Sequence, residues 1–457
     1  MTSLRDNNEI LRFKIIHKYL IVYQILLLKG IDMKYTDMTK EQLKEVHAAA
    51  EKEYDDILRM ELNLNMARGK PSAVQLDLAL GVLEALHARS HFANSKGDDA
   101  RNYGIWDGLE EMKAIFSGMM EVPTSQIIIG NNSSLGMMFD VVSRGVTHGY
   151  KGCKPWGKLD KVKWLCPVPG YDRHFRITEY FGFEMINIPM LPTGPDMDMV
   201  EELVSSDPAI KGIWCVPKYS NPTGITFSDE TVRRFAKLRP AAKDFRIFWD
   251  NAYCIHDLTD NPEHLLNLYD EALAEGNEDM VFVFASTSKI TFPGAGVCAM
   301  AASDRNIVDL KQHFTTETIG PDKLNQLRHV LFFHDFNGVK LMMKAHREIL
   351  EPKFRAVDRV LKEELGDSGL ATWNMPNGGY FINCNVLPGC AKKVFRLCKM
   401  AGLIITDAGA TYPYGKDPDD SNIRIAPSFP PVNELEQAIR VFSVCLKLAA
   451  SEKLLAE

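Results

Sequence analysis

The sequence lacks any basic tract, and its 457 residues carry a formal net charge of −7. Nothing in it marks a nucleic-acid-binding surface. Its nine cysteines include no CxxC pair, and their odd number leaves at least one unpaired in a monomer. That usage argues against a disulfide framework or a zinc cluster and suits a reducing, cytoplasmic location. His87 and His91 are spaced for one helix face, but no third ligand accompanies them, so no metal is expected. Long apolar runs are also missing. Residues 10–28 are rich in Ile, Leu and Tyr but carry Arg12, Lys14, His17 and Lys18, and the uncharged part, 19–28, is too short to span a bilayer. No small-residue cleavage site precedes Met33, which argues against a secretory signal, and Asp6 and Glu9 do not suit a mitochondrial presequence. Residues 1–32 are therefore expected to form a disordered or dispensable extension. No repeats and no low-complexity linkers follow.

A chain of this length buries a large core and is expected to hold two lobes. Residues 39–62 read as a helix, with Thr39 as N-cap and Gln42 three residues later. Strand-like and helix-like segments then alternate from about residue 91 to about 320, which implies a mostly parallel sheet covered on both faces, an α/β fold. A long helix is expected over 322–364, short strands near 379–382 and 423–425, and a closing helix over 433–453.

Three apolar strands in succession end in polar residues. Residues 213–216 (IWCV) run into Asn221-Pro222-Thr223-Gly224. Residues 245–249 (FRIFW) lead to Asp250 and Tyr253. Residues 280–285 (MVFVFA) lead to Ser286, Ser288 and Lys289. Ligands in open α/β sheets gather outside the carboxyl ends of the strands, so the three segments share one rim. A desolvated lysine has a lowered pKa and becomes a nucleophile near neutral pH. With two hydroxyls beside it, it can hold a phosphorylated aldehyde. Asn132, Ser133 and Ser134 lie between an expected strand (126–129) and an expected helix (135–142), where backbone amides make an anion site.

Together with residues 67–72 (ARGKPS), 101–104 (RNYG), 130–135 (GNNSSL), 167–172 (PVPGYD), 288–296 (SKITFPGAG) and 422–427 (NIRIAP), these segments resemble the class I aminotransferases that use pyridoxal 5'-phosphate. The divergent, bacterial-type aspartate aminotransferase branch is the nearest in pattern, and the resemblance runs from about Met33 to the C-terminus. It implies a large cofactor-binding domain (91–329) with a mostly parallel seven-stranded sheet. It also implies a smaller α+β domain assembled from both chain ends (33–90 and 330–457).

The resemblance further implies roles. Lys289 carries the cofactor covalently and shuttles the substrate proton. Asp250 keeps the pyridine nitrogen protonated. Asn221 and Tyr253 bond the phenolic oxygen, and Tyr171 stacks on the ring. Asn132, Ser133, Ser134, Ser286 and Ser288 cup the phosphate, and Tyr103 reaches the phosphate of the neighbouring subunit in a homodimer with shared active sites. Arg424 grips the substrate α-carboxylate as a two-pronged fork. Gly69 lies close to the substrate, while Arg68 and Lys70, with Arg173 as a weaker candidate, suit the second carboxylate of aspartate or glutamate. One position departs from the pattern: Val297 stands where most relatives carry a phosphate-binding arginine. Either neutral donors suffice there, or Lys323 or Arg328 substitutes.

The implied activity is transamination between an amino acid and a 2-oxo acid, L-aspartate with 2-oxoglutarate first. The alternatives are another amino donor or a lyase on the same fold. A transcription regulator with an aminotransferase-like effector domain is disfavoured, because some thirty preceding residues are too few for a winged helix. Neither nucleic acid nor membrane is expected as a partner.

Overall fold

The computed structural model describes residues 33–457; the expected extension, residues 1–32, lies outside the described residues. Thirteen strands are described: β1 (Leu64–Asn65), β2 (Ile127–Ile129), β3 (Lys163–Val168), β4 (Glu184–Leu191), β5 (Gly194–Pro195), β6 (Ile210–Cys215), β7 (Arg246–Asp250), β8 (Val281–Ser286), β9 (Cys298–Ala301), β10 (Ala371–Trp373), β11 (Ile382–Val386), β12 (Leu403–Ile404) and β13 (Asn422–Ile425). Eight of them form one sheet in the order β2-β9-β8-β7-β6-β3-β4-β5. From β8 to β4 all neighbours are parallel. β9 runs against both of its neighbours, so the sheet is mixed.

The sheet has one strand more than the seven expected. β5 is a two-residue edge strand that pairs with the end of β4 through Met190 and Leu191. Two residues, one a glycine at φ +130° and the other a proline, carry no alternation that sequence reading detects. By contrast, every residue of β6, β7 and β8 is buried, the mark of parallel strands covered on both faces. Their side chains alternate between two cores. Ile213, Ile247 and Val283 point into one, whereas Trp214, Phe248, Phe282 and Phe284 point into the other.

A third core joins the two chain ends. It takes in Tyr54 and Leu64, the run from Leu350 to Leu365, Ile382, Ile423 and the helix Val432–Ala456. Ala79, Val82 and the first turns of the helix Phe336–Leu365 pack in the sheet's core instead, so that helix ties two cores together.

The first helix, Lys40–Leu58, begins with a complete capping box between Thr39 and Gln42. The helix expected over 322–364 is two helices, Lys323–Phe333 and Phe336–Leu365. His334 breaks it by taking φ +64°, and Asp335 caps the second by accepting bonds from the amides of Asn337 (2.7 Å) and Gly338 (3.2 Å). His87 and His91 lie on either side of a turn at residues 88–89 rather than on a helix face, because the helix Gly81–Glu84 ends before them. Among the described residues no group of three potential metal ligands occurs, and no helix is long and apolar enough to cross a membrane.

Candidate active site

Adjacent parallel strands in register bring their ends together: Cys215 pairs with Trp249, and Asp250 pairs with Phe284. A cleft of about 380 Å³ opens at this rim, and Asn221, Asp250, Tyr253, Ser286, Ser288 and Lys289 all line it. The Lys289 ammonium lies 4.8 Å from the centre of the Tyr253 ring and 6.0 Å from that of Tyr380. Burial pulls its pKa below the ordinary lysine value, against the opposing attraction of the Asp250 carboxylate. More of the amine is thus neutral, and nucleophilic, than in a solvated lysine.

Asp250 is 4% exposed. Its Oδ2 lies 2.9 Å from His174 Nε2, a contact that needs the proton on Nε2 because a carboxylate only accepts. Its Oδ1 is buried without a partner. An unpaired buried carboxylate oxygen is costly, so this atom calls for a donor from whatever fills the cleft. His174 stacks on Trp214 at 4.7 Å, which fixes the imidazole that holds Asp250. Tyr171 lines the cleft one turn before His174, with its phenol pushed up to about 12, chiefly by burial.

Ser133, Ser134, Ser286 and Ser288 line one end of the cleft. Ser133 caps the fifteen-residue helix Ser134–His148, its hydroxyl accepting from the Gly136 amide at 3.1 Å. Ser286 Oγ donates to Ser288 Oγ at 3.0 Å, and Ser288 Oγ donates to the Asn132 carbonyl at 3.3 Å. Hydroxyls, free helical amides and the positive end of a helix together make an anion cup.

At the other end Arg424, on β13, lies with its guanidinium carbon 4.9 Å from the Phe381 ring centre. Its Nη1 donates to Asp172 Oδ1 at 2.8 Å and to Asn221 Oδ1 at 3.2 Å. Gly69 packs so tightly on Phe381 that a Cβ there would fall 2.4 Å from Cζ of that ring. Arg68, Lys70 and Arg173 also line the cleft, and among the described residues none of the three forms an ion pair. The Lys70 ammonium sits 3.9 Å over the Phe429 ring.

Not every expected residue reaches the cleft. Asn132 turns its side-chain amide to the carbonyls of Pro293 (3.4 Å) and Gly294 (3.2 Å), so it braces the loop after Lys289 and only its backbone meets the serine cup. Tyr103 is 81% exposed and does not line the cleft of its own chain. Val297 is buried in the sheet's core, and neither Lys323 nor Arg328 lines the cleft. Lys323 is buried on the helix Lys323–Phe333, and the Arg328 Nε is buried without a partner.

Sequence reading missed His174, Asp172 as a partner of Arg424, and Phe381. Residues 171–174 (YDRH) stand at the start of a helix after a buried strand, which was a readable signal for the first two. Phe381 had none, since an aromatic in an apolar segment reads as core.

The model of the aspartate amino-transferase family matches residues 38–457. The aspartate aminotransferase of Corynebacterium glutamicum is 44% identical over 417 residues, covering 91% of this chain and 96% of that protein. A crystal structure of an aspartate transaminase from the same species superposes with a TM-score of 0.90 at 44% identity, covering 93% of this chain and 100% of that one. At 18% identity the fold is still shared with LysN of Thermus thermophilus, an α-aminoadipate aminotransferase solved with N-(5'-phosphopyridoxyl)-L-leucine; the TM-score is 0.69 over 88% of this chain and 95% of that one. With the family model matching residues 38–457 and a relative 44% identical over 91% of this chain, the protein is an aminotransferase and belongs to the aspartate aminotransferase family.

Proposed function

We propose that the protein transfers the amino group of L-aspartate to 2-oxoglutarate, yielding oxaloacetate and L-glutamate, with pyridoxal 5'-phosphate as cofactor. One observation carries the cofactor assignment: the buried, unpartnered Oδ1 of Asp250 shares a cleft with the desolvated Lys289 and with an anion cup of serines. A pyridine N–H, an aldehyde and a phosphate are the three complements of that donor set. When bound, the cofactor supplies the electron sink that acidifies the substrate α-hydrogen.

The chain's own residues do the rest. Asp250, steadied by His174, holds the proton on the ring nitrogen, and Asn221 and Tyr253 donate to the phenolic oxygen. Tyr171 covers the ring. Lys289 Nζ would hold the cofactor through its aldehyde carbon and, once the substrate amine has taken its place, would be free to take and return the α-proton. The phosphate rests on neutral donors from Ser133, Ser134, Ser286 and Ser288, since Val297 is buried away from them and Lys323 and Arg328 lie outside the cleft. Arg424 takes the α-carboxylate. Aspartate and glutamate each bring a second carboxylate, which would be desolvated unpaired, at a cost of several kcal/mol, unless a cation meets it. Arg68 and Lys70 on either side of Gly69, with Arg173 also lining the cleft, answer that need. The working unit is a homodimer in the cytoplasm, with Tyr103 serving the neighbour's phosphate.

The deciding experiment is a panel of amino donors with 2-oxoglutarate. Acidic donors should be preferred. Arg68→Ala and Lys70→Ala should lower kcat/KM for aspartate and glutamate far more than for aromatic or aliphatic donors, whereas Arg424→Ala should lower it for all. A wild-type preference for neutral donors would overturn the aspartate assignment and leave the aminotransferase standing. Borohydride reduction should fix the pyridoxyl group on Lys289, and its recovery on another lysine would overturn the assignment of the carrier.

A further inference from the structure

Arg424 presents an unusual balance of spent and unspent donors. One face of its guanidinium is covered by Phe381. One corner, Nη1, is held twice, by Asp172 Oδ1 at 2.8 Å and by Asn221 Oδ1 at 3.2 Å. The opposite edge is bare: Nε is buried without a hydrogen-bond partner, and Nη2 has none among the described residues. A guanidinium binds a carboxylate best as a fork of two parallel N–H bonds, and the unspent edge is such a fork.

Asp172 and Arg424 differ in burial. The arginine side chain is 7% exposed and the aspartate side chain 34%. A guanidinium that deep needs a counter-charge when no substrate is present, and Asn221 is neutral. Asp172, the first residue of the helix Asp172–Tyr180, supplies that charge from a position that keeps its own carboxylate partly in water.

We propose that Asp172 is a positioning residue for substrate binding: by clasping Nη1 it turns the Nε–Nη2 edge of Arg424 toward the incoming α-carboxylate and balances the arginine's charge while the site is empty. The inference rests on the reading of Arg424 as the α-carboxylate site. It makes Asp172 a common determinant of affinity for amino acids and 2-oxo acids, because every substrate carries that carboxylate.

Holoenzyme carrying Asp172→Ala, Asp172→Asn or Arg424→Lys tests it. The readouts are KM and kcat for aspartate and 2-oxoglutarate, and the Kd of succinate, a dicarboxylate without an amino group, from the change in visible absorbance. Asp172→Ala should raise both KM values and the succinate Kd about tenfold, with kcat falling much less. Asp172→Asn, which keeps an acceptor oxygen but not the charge, should recover only part of that loss. If Asp172 competes with substrate for Arg424, both variants will instead lower KM, and the proposal fails. It fails equally if Asp172→Ala changes neither KM nor Kd, or if the loss falls in kcat alone. A role confined to helix stability would lower the melting temperature and leave the succinate Kd unmoved, which also overturns it. Arg424→Lys separates the two levels: unchanged KM there would sink the reading of Arg424 itself, whereas raised KM there with an inert Asp172 sinks only the clasp.

Discussion

Asp250 has one carboxylate oxygen tied to His174 and the other bare, and that asymmetry makes it the most informative single residue. Replacing it by Asn keeps the size and removes the charge that would hold a proton on a ring nitrogen. Asp250→Asn should therefore lower kcat by roughly 100-fold, about 3 kcal/mol of barrier, with a much smaller effect on KM. Turnover near the wild-type value would remove Asp250 from the proposed role. Residue identity was readable here: Asp250, Asn221, Tyr253 and Lys289 each follow a buried apolar run in the sequence. Their partners were less so. His174 reaches Asp250 from 76 positions away, and nothing local to either residue announces the pair.

Among the elements, the turn that carries Gly69 shows how packing reaches the chemistry. Gly69 touches Phe381, which follows directly on Tyr380 at the entry to β11, and Phe381 lies under Arg424 on β13. β11 and β13 are paired in register, Asn383 with Arg424, so the backbones that carry the ring and the guanidinium are held side by side. A methyl group at Gly69 must push the ring aside, at about 1–3 kcal/mol for overpacking. Gly69→Ala should lower the melting temperature and raise KM for carboxylate substrates roughly tenfold, and Phe381→Leu in the same chain should relieve part of both. An unchanged KM in Gly69→Ala would show that the ring does not steer Arg424. Helix and strand identity was mostly legible from periodicity and caps, as the capping box at Thr39 illustrates. The break between Phe333 and Phe336 was not, because apolar periodicity continues across it, although Asp335 two residues before Asn337 is an N-cap signal.

For the whole molecule, Tyr103 is 81% exposed and does not line the cleft of its own chain. We propose two lobes around the cleft and a dimer in which Tyr103 completes the neighbour's phosphate site. Tyr103→Phe should weaken cofactor retention by about tenfold or more, the loss of one hydrogen bond to a charged group. Mixed with inactive Lys289→Ala chains and allowed to exchange, it should regain activity, since each hybrid dimer then has one site free of both lesions. Full activity from a species that is monomeric by sedimentation would rule the arrangement out.

The sequence by itself determined which reactive groups this protein carries and along which rim they lie. Buried parallel strands read as apolar runs, and chain order puts their polar ends on one side of the sheet. It also carried enough local phrases to point to the family. The tertiary structure alone decided how those groups are spent. It tied Asn132 to Pro293 and Gly294, buried Val297, left one oxygen of Asp250 bare, and clasped one corner of Arg424 while leaving the opposite edge open. The physical reason is that hydrogen-bond saturation and desolvation depend on neighbours 76 to 252 positions away, whereas periodicity and caps depend on neighbours within one turn.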